Sequence, residues 1–129
     1  MSIINSFDKI KQEVKNLKTY TEPEIIAVSK TFDMEYVKPL VDHGHNHFGE
    51  NKVQEAEKKW QEIKKTMNNL KLHMIGRLQT NKAKKAVELF DYIHSLDSEK
   101  LANELSKREK QIGKNLGYFI QINLGSEEQ

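Results

Sequence analysis

The chain has no cysteine among its 129 residues. That excludes disulfides, thiol catalysis and cysteine-ligated zinc, and it suits a reducing cytosol, the expected location. Neither sign of charge is in excess: 21 basic and 19 acidic residues leave a net +2. This balance argues against a nucleic-acid protein and leaves anionic ligands open. The basic residues are dispersed, and the pairs Lys58-Lys59 and Lys64-Lys65 read as solvated helix faces. The N-terminus lacks the apolar h-region of a signal peptide. No apolar run is long enough to span a bilayer, so no membrane association is expected. No glycine-rich phosphate loop follows the first apolar run, where Ser-Lys-Thr-Phe-Asp stands instead. No exact repeat is visible.

What is present is a regular alternation of periods. Ile3, Phe7, Ile10, Val14 and Leu17 recur at helical spacing and predict an amphipathic helix over 2–18. A strand follows at 24–30, then a helix capped by Asp33 that carries Val37, Leu40 and Val41. Pro39 is awkward inside that helix and marks a kink or a late start. Gly44 stops it. His47-Phe48-Gly49 is a second strand, and Val53, Ala56, Trp60, Ile63 and Met67 line a helix over 51–66. Strands at 70–75, 92–95 and 118–123 alternate with helices at 80–89 and after Asp97 or Ser98. Strands alternating with helices of this length imply a parallel sheet.

A doubly wound sheet is the generic choice, but polar residues gather at every strand's C-terminal end. Lys30, Glu50 with Asn51, Arg77 with Gln79, Ser95 with Asp97, and Asn123 all fall there. A TIM barrel collects its site in this way, from the ends of eight strands. The expectation is therefore an α/β chain forming the N-terminal portion of a TIM barrel, about five strands over residues 1–129, with the remainder of the barrel absent. Lys30 is the most informative residue. It ends the run Ile25-Ile26-Ala27-Val28-Ser29-Lys30, where an amine half withdrawn into an apolar core has its pKa lowered and can form a Schiff base with an aldehyde.

Five motifs carry a resemblance. They are Ala27-Val28-Ser29-Lys30-Thr31; Phe48-Gly49-Glu50-Asn51 with Val53-Gln54-Glu55-Ala56; His73-Met74-Ile75-Gly76 with Leu78-Gln79 and Asn81-Lys82; His94-Ser95-Leu96-Asp97-Ser98; and Gln121-Ile122-Asn123. Together they make the chain resemble the pyridoxal phosphate homeostasis proteins, which share the fold of the alanine racemase N-terminal domain. The resemblance implies a single barrel domain, monomeric when complete. It implies pyridoxal 5'-phosphate held as a Schiff base on Lys30, without robust catalysis, serving vitamin B6 pools and PLP-dependent apoenzymes. A PLP-dependent racemase-like enzyme is the alternative; it needs an opposing acid or base, and Tyr20, Tyr36, Tyr92 and Tyr118 offer no obvious one.

The resemblance places Lys30, Asn51, His73, Met74, Ile75, Ser95 and Asn123 at the cofactor. Read from the residues alone, Asn51 is equally the cap of the helix that starts there. His73 is equally a core histidine with satisfied hydrogen bonds. Met74 and Ile75 alternate faces, so one of them shares the orientation of His73. Arg77 suits a phosphate or carboxylate and equally an exposed loop. Asn81 reads as a helix cap, and Lys82 as an exposed residue able to attract an anion. His43, His45 and His47 invite a metal reading, but three such rings seldom meet one ion from a turn, and no metal is expected. The ordinary account is one inward ring and two solvated ones.

Overall fold

The computed structural model describes residues 2–17, 23–122 and 124. Helix α1 (Ile3–Asn16) starts at Ser2, whose hydroxyl accepts the Asn5 amide at 3.1 Å. Strand β1 is short, Ala27–Val28. Helix α2 (Met34–Asp42) is capped by Asp33 as the sequence predicts, contains Pro39 within it, and is followed by Gly44 at φ +99°. Strand β2 (His47–Glu50) leads to α3 (Val53–Thr66). Strand β3 (Lys71–Met74) leads through a 3-10 turn (Thr80–Lys82) to α4 (Ala83–Leu89). Strand β4 (Tyr92–Leu96) precedes α5 (Glu99–Ile112), and β5 (Gly117–Ile120) follows.

Two capping expectations are corrected. The position before α3 is Lys52, not Asn51, and Asn81 lies inside the 3-10 turn rather than at its cap. The choice between Asp97 and Ser98 falls to Ser98, whose hydroxyl accepts the Leu101 amide at 3.2 Å.

The sheet runs β1-β2-β3-β4-β5, and every neighbouring pair is parallel. A doubly wound sheet would reverse its strand order at a switch point. Strictly sequential order is instead the order of a barrel wall, each right-handed crossover setting its helix on the same face. The register shows which residues face the helices. Phe48 pairs with Leu72, and its ring lies 4.7 Å from that of Trp60 on α3. Phe48, Trp60, Leu72, Met74, Phe90, Ile93, Leu101 and Leu105 are buried in this layer.

The opposite face carries Val28, His47, Gly49, His73, Tyr92, His94 and Phe119. Val28 and Phe119 are about half exposed, as are hydrophobics at and beyond β5 (Ile120, Ile122 and Leu124) to a greater degree. In a complete barrel this face is the packed interior. The chain is thus a five-stranded segment of barrel wall.

Candidate functional site

The C-terminal strand ends assemble on one edge of the sheet. Lys30 follows β1 there, two residues past the Val28–Gly49 pair, level with Asn51 beyond β2. The sequence reading expected its amine half withdrawn from water; the residue is exposed, because β1 is an edge strand with a single neighbour. Its main chain is nonetheless held tightly. The Phe32 amide donates to the Ser29 carbonyl at 3.3 Å, closing a turn with Lys30 and Thr31 at its centre. Thr31 has φ +68°. That position in such a turn normally takes glycine, and a β-branched residue there costs on the order of 1–2 kcal/mol.

The turn is gripped from β2 and α3. Ser29 points away from the interior face, as alternation predicts, and its buried hydroxyl donates to Glu50 Oε2 at 2.6 Å. The same carboxylate oxygen accepts Trp60 Nε1 at 3.0 Å and pairs with Lys59 Nζ at 2.7 Å. Lys59 also donates to the Ser29 carbonyl and lies 3.8 Å from Glu55. Glu55 Oε1 accepts the Thr31 amide at 2.6 Å. The solvated-face reading of the lysine pairs is therefore half corrected. Lys58 and Lys65 are exposed, but Lys59 turns inward to Glu50, and Lys64 turns inward to Asp91 at 2.6 Å. Both flank the apolar stripe of α3, and their long stems lie along it before the ammonium finds its carboxylate, buried for Lys59 and half-buried for Lys64.

Among the described residues, Asn51 Oδ1 is buried without a hydrogen-bond partner. Its neighbour across the edge is Gly76, where a Cβ would lie 2.5 Å from Asn51 Cβ. Ser95 is buried, and its hydroxyl likewise has no partner. A buried polar group left unpaired costs about 1–3 kcal/mol, so a ligand that bonds to these atoms recovers that loss. An open depression of about 720 Å³ at the same edge is lined by Asn51, Met74, Arg77, Gln79 and Lys82 among others. Its cations suit an anionic group. The basic groups of this depression suit a phosphate, the Asn51 acceptor suits a hydroxyl, and the exposed amine of Lys30 at the same sheet edge suits an aldehyde, although Lys30 and Ser95 are not among the residues that line the depression.

His73 is 5% exposed, with both ring nitrogens engaged: His47 Nδ1 lies 2.9 Å from one and His94 Nε2 2.8 Å from the other. Its ring stacks on Tyr92 at 4.5 Å. Burial, then repulsion from the His94 and His47 imidazoles, lowers its pKa to about 4. Burial lowers His94 as well. His73 is thus a core histidine with satisfied hydrogen bonds, on the barrel-interior face. Alternation puts Ile75 on that face too and Met74, 1% exposed, in the helix layer. Of the three closely spaced histidines, His43 meets Asp8 at 3.0 Å, His45 packs between Phe7 and Phe48, and His47 joins His73. Two rings are half-buried where one inward ring was expected. Asn123 lies outside the described residues.

Sequence reasoning missed Glu55, Lys59 and the strained Thr31. The one signal for the first two was their i, i+4 spacing beside the stripe of Ala56 and Trp60. Nothing in the sequence signals a left-handed threonine.

Among known proteins, the chain is 35% identical to the pyridoxal phosphate homeostasis protein of Pasteurella multocida, over 99% of its own length and 57% of the relative's. PipY of Synechococcus elongatus, solved with PLP bound, matches at 38% identity and a TM-score of 0.75, over 92% of this chain and 56% of that one. The alanine racemase of Clostridium difficile shares the fold alone, at 15% identity and a TM-score of 0.64, over 92% of this chain and 31% of that one. The chain spans about half the length of the curated relatives it matches. The family model for the alanine racemase N-terminal domain covers residues 6–128, and the chain belongs to that family.

Proposed function

We propose that this chain is the N-terminal part of a pyridoxal 5'-phosphate binding barrel that serves intracellular vitamin B6 homeostasis, holding the cofactor on Lys30 and releasing it to PLP-dependent apoenzymes. The observation that carries this reading is Lys30 itself: an exposed amine on a clamped turn at the C-terminal edge of a sequentially ordered parallel sheet. The names of the relatives point the same way. When bound, the cofactor supplies an aldehyde carbon for an amine to attach to and a ring that withdraws electrons. Lys30 provides the amine. Asn51 and Ser95 offer unpaired buried oxygens, Ile75 and His73 belong to the interior face, and Met74 lies beneath the depression; Asn123 joins the proposed set on its sequence motif alone.

The arrangement favours holding over turnover. Glu50 is fully buried in the helix layer, where Oε2 is taken up by Ser29, Trp60 and Lys59 and Oε1 stays unpaired; its place on that layer, opposite the interior face, supports the view that this acid does not serve the pyridine nitrogen. Burial, with the nearby Glu109 carboxylate, pushes the Tyr118 phenol well above its ordinary value, which unsuits it as a base. Tyr92 is stacked under His73. No described helix is long and apolar enough to cross a membrane.

The test is covalent. The complete natural chain is incubated with pyridoxal phosphate, reduced with borohydride and peptide-mapped. The expected label is on Lys30 and disappears in Lys30→Ala. Labelling elsewhere, or none, rejects the reading. Sustained racemisation of L-alanine well above that of free cofactor would overturn its non-catalytic part.

A further inference from the structure

The residues that grip the Lys30 turn have no evident need to be charged. Lys59 is nearly buried, with 9% of its side chain exposed, and it stands between two carboxylates and a carbonyl. Glu55 reaches from the first turn of α3 to the one backbone amide that a left-handed residue offers, that of Thr31. The contacts bracket Lys30 on both sides: the carbonyl before it is bound by Lys59, and the amide after it by Glu55. A side chain at an exposed edge has many rotamers, so the direction of its Cα–Cβ bond decides where its amine can dwell. That direction is set by the two peptide units flanking residue 30.

We propose that Glu55, buttressed by Lys59, is a positioning residue for Lys30: its carboxylate holds Thr31 left-handed and so fixes the turn that aims the lysine amine across the strand ends. The inference rests on Lys30 as the cofactor anchor. The chemistry is a charge-assisted hydrogen bond that offsets backbone strain, and strain of this kind persists only where the surroundings enforce it. Lys59 keeps Glu55 from swinging to solvent by holding its i, i+4 partner on the inner side of α3. Glu50, fully buried, anchors Lys59 in turn.

Three variants of the complete natural chain test this, read by pyridoxal phosphate titration followed through the absorption band, by borohydride labelling and by urea unfolding. Glu55→Ala is expected to weaken cofactor affinity about tenfold, the worth of one charge-assisted hydrogen bond. Glu55→Gln keeps an acceptor for the Thr31 amide and is expected to stay within about threefold of the parent. Glu55→Ala should also have the lower urea midpoint of the two, since it alone leaves the Thr31 strain without its hydrogen bond. In Thr31→Gly the backbone adopts φ +68° without strain, so adding Glu55→Ala there should cost less than about threefold. If Glu55→Ala binds like the parent, or costs as much in the Thr31→Gly background as in the parent, the inference is overturned. If Glu55→Gln is as damaged as Glu55→Ala, the carboxylate acts on the cofactor by its charge and the positioning role is wrong. Absence of a Lys30 label in the parent would instead reject the anchor reading, before any variant is compared.

Discussion

Gly76 has no room for a side chain. A Cβ built there meets Asn51 Cβ at 2.5 Å, its carbonyl oxygen at 2.7 Å and its Cα at 2.9 Å. Because these are mostly backbone atoms, no rotamer relieves the clash. Gly76→Ala must push the end of β2 away from the end of β3, carrying Asn51 with it. The expected result is a loss of pyridoxal phosphate affinity of at least about tenfold, with a stability cost of about 1–3 kcal/mol. Absorption titration and urea unfolding measure the two, and unchanged affinity would show that Asn51 does not touch the cofactor. The sequence displays Gly76 within the His73-Met74-Ile75-Gly76 motif, but not the reason for it. Contact between residues 51 and 76 depends on β2 and β3 being neighbours. Likewise, the sequence left Asn51 open between helix cap and ligand. The local geometry decides against the cap, since α3 begins one residue later.

At the scale of elements, apolar spacing located all five helices, and capping chemistry set the starts of α2 and, between two candidates, α5, whereas α3 and α4 begin at Val53 and Ala83, later than the 51 and 80 expected. Ser98 and Asp97 were equivalent on paper. In the structure Ser98 is extended at the cap and bonds the Leu101 amide, so Ser98→Ala should cost about 1 kcal/mol and Asp97→Ala distinctly less. Urea midpoints of the two variants check this, and the reverse ranking would refute the assignment. Strand lengths were less legible. The apolar run through 24–30 yields only Ala27–Val28 as ladder, because an edge strand is defined by the one neighbour that pairs with it. The lysines of α3 show the same limit. Adjacent residues on a helix are about 100° apart, so Lys58 and Lys59 belong to different faces, and charge alone does not say which is buried. The acceptors that draw Lys59 and Lys64 inward, the buried Glu50 and the half-buried Asp91, come from elsewhere in the chain.

At the scale of the whole molecule, the histidine row is expected to make stability sensitive to acid. His73 has a folded-state pKa of about 4 against an ordinary 6.5. The unfolded chain therefore takes up the proton first as pH falls, so stability rises with pH through this window and is lost below it. The neutral ring is fully tolerated above pH 6.5, and by pH 4 the loss from this group reaches about 3 kcal/mol. His94 and His45 shift in the same direction through burial and add to it. Replacing His73 with Gln keeps hydrogen-bonding capacity toward His47 and His94 but cannot titrate. Urea midpoints of the complete natural chain should fall more steeply between pH 7 and pH 5 than those of His73→Gln. Parallel falls would show that His73 is not the acid-sensitive group.

The sequence by itself determined the alternation of strands and helices, the barrel-like gathering of polar residues at strand ends, and Lys30 as the residue to watch. These follow from local periodicity and from motifs contiguous in the chain. Tertiary structure alone decided that the strands lie in sequential parallel order, that three histidines from three strands join in one row, and that Glu50, Glu55 and Lys59 grip the Lys30 turn. The physical reason is common to all three: each is a pairing between residues some 20 or more positions apart, and the partner exists only once the strands have paired and the helices have packed across them.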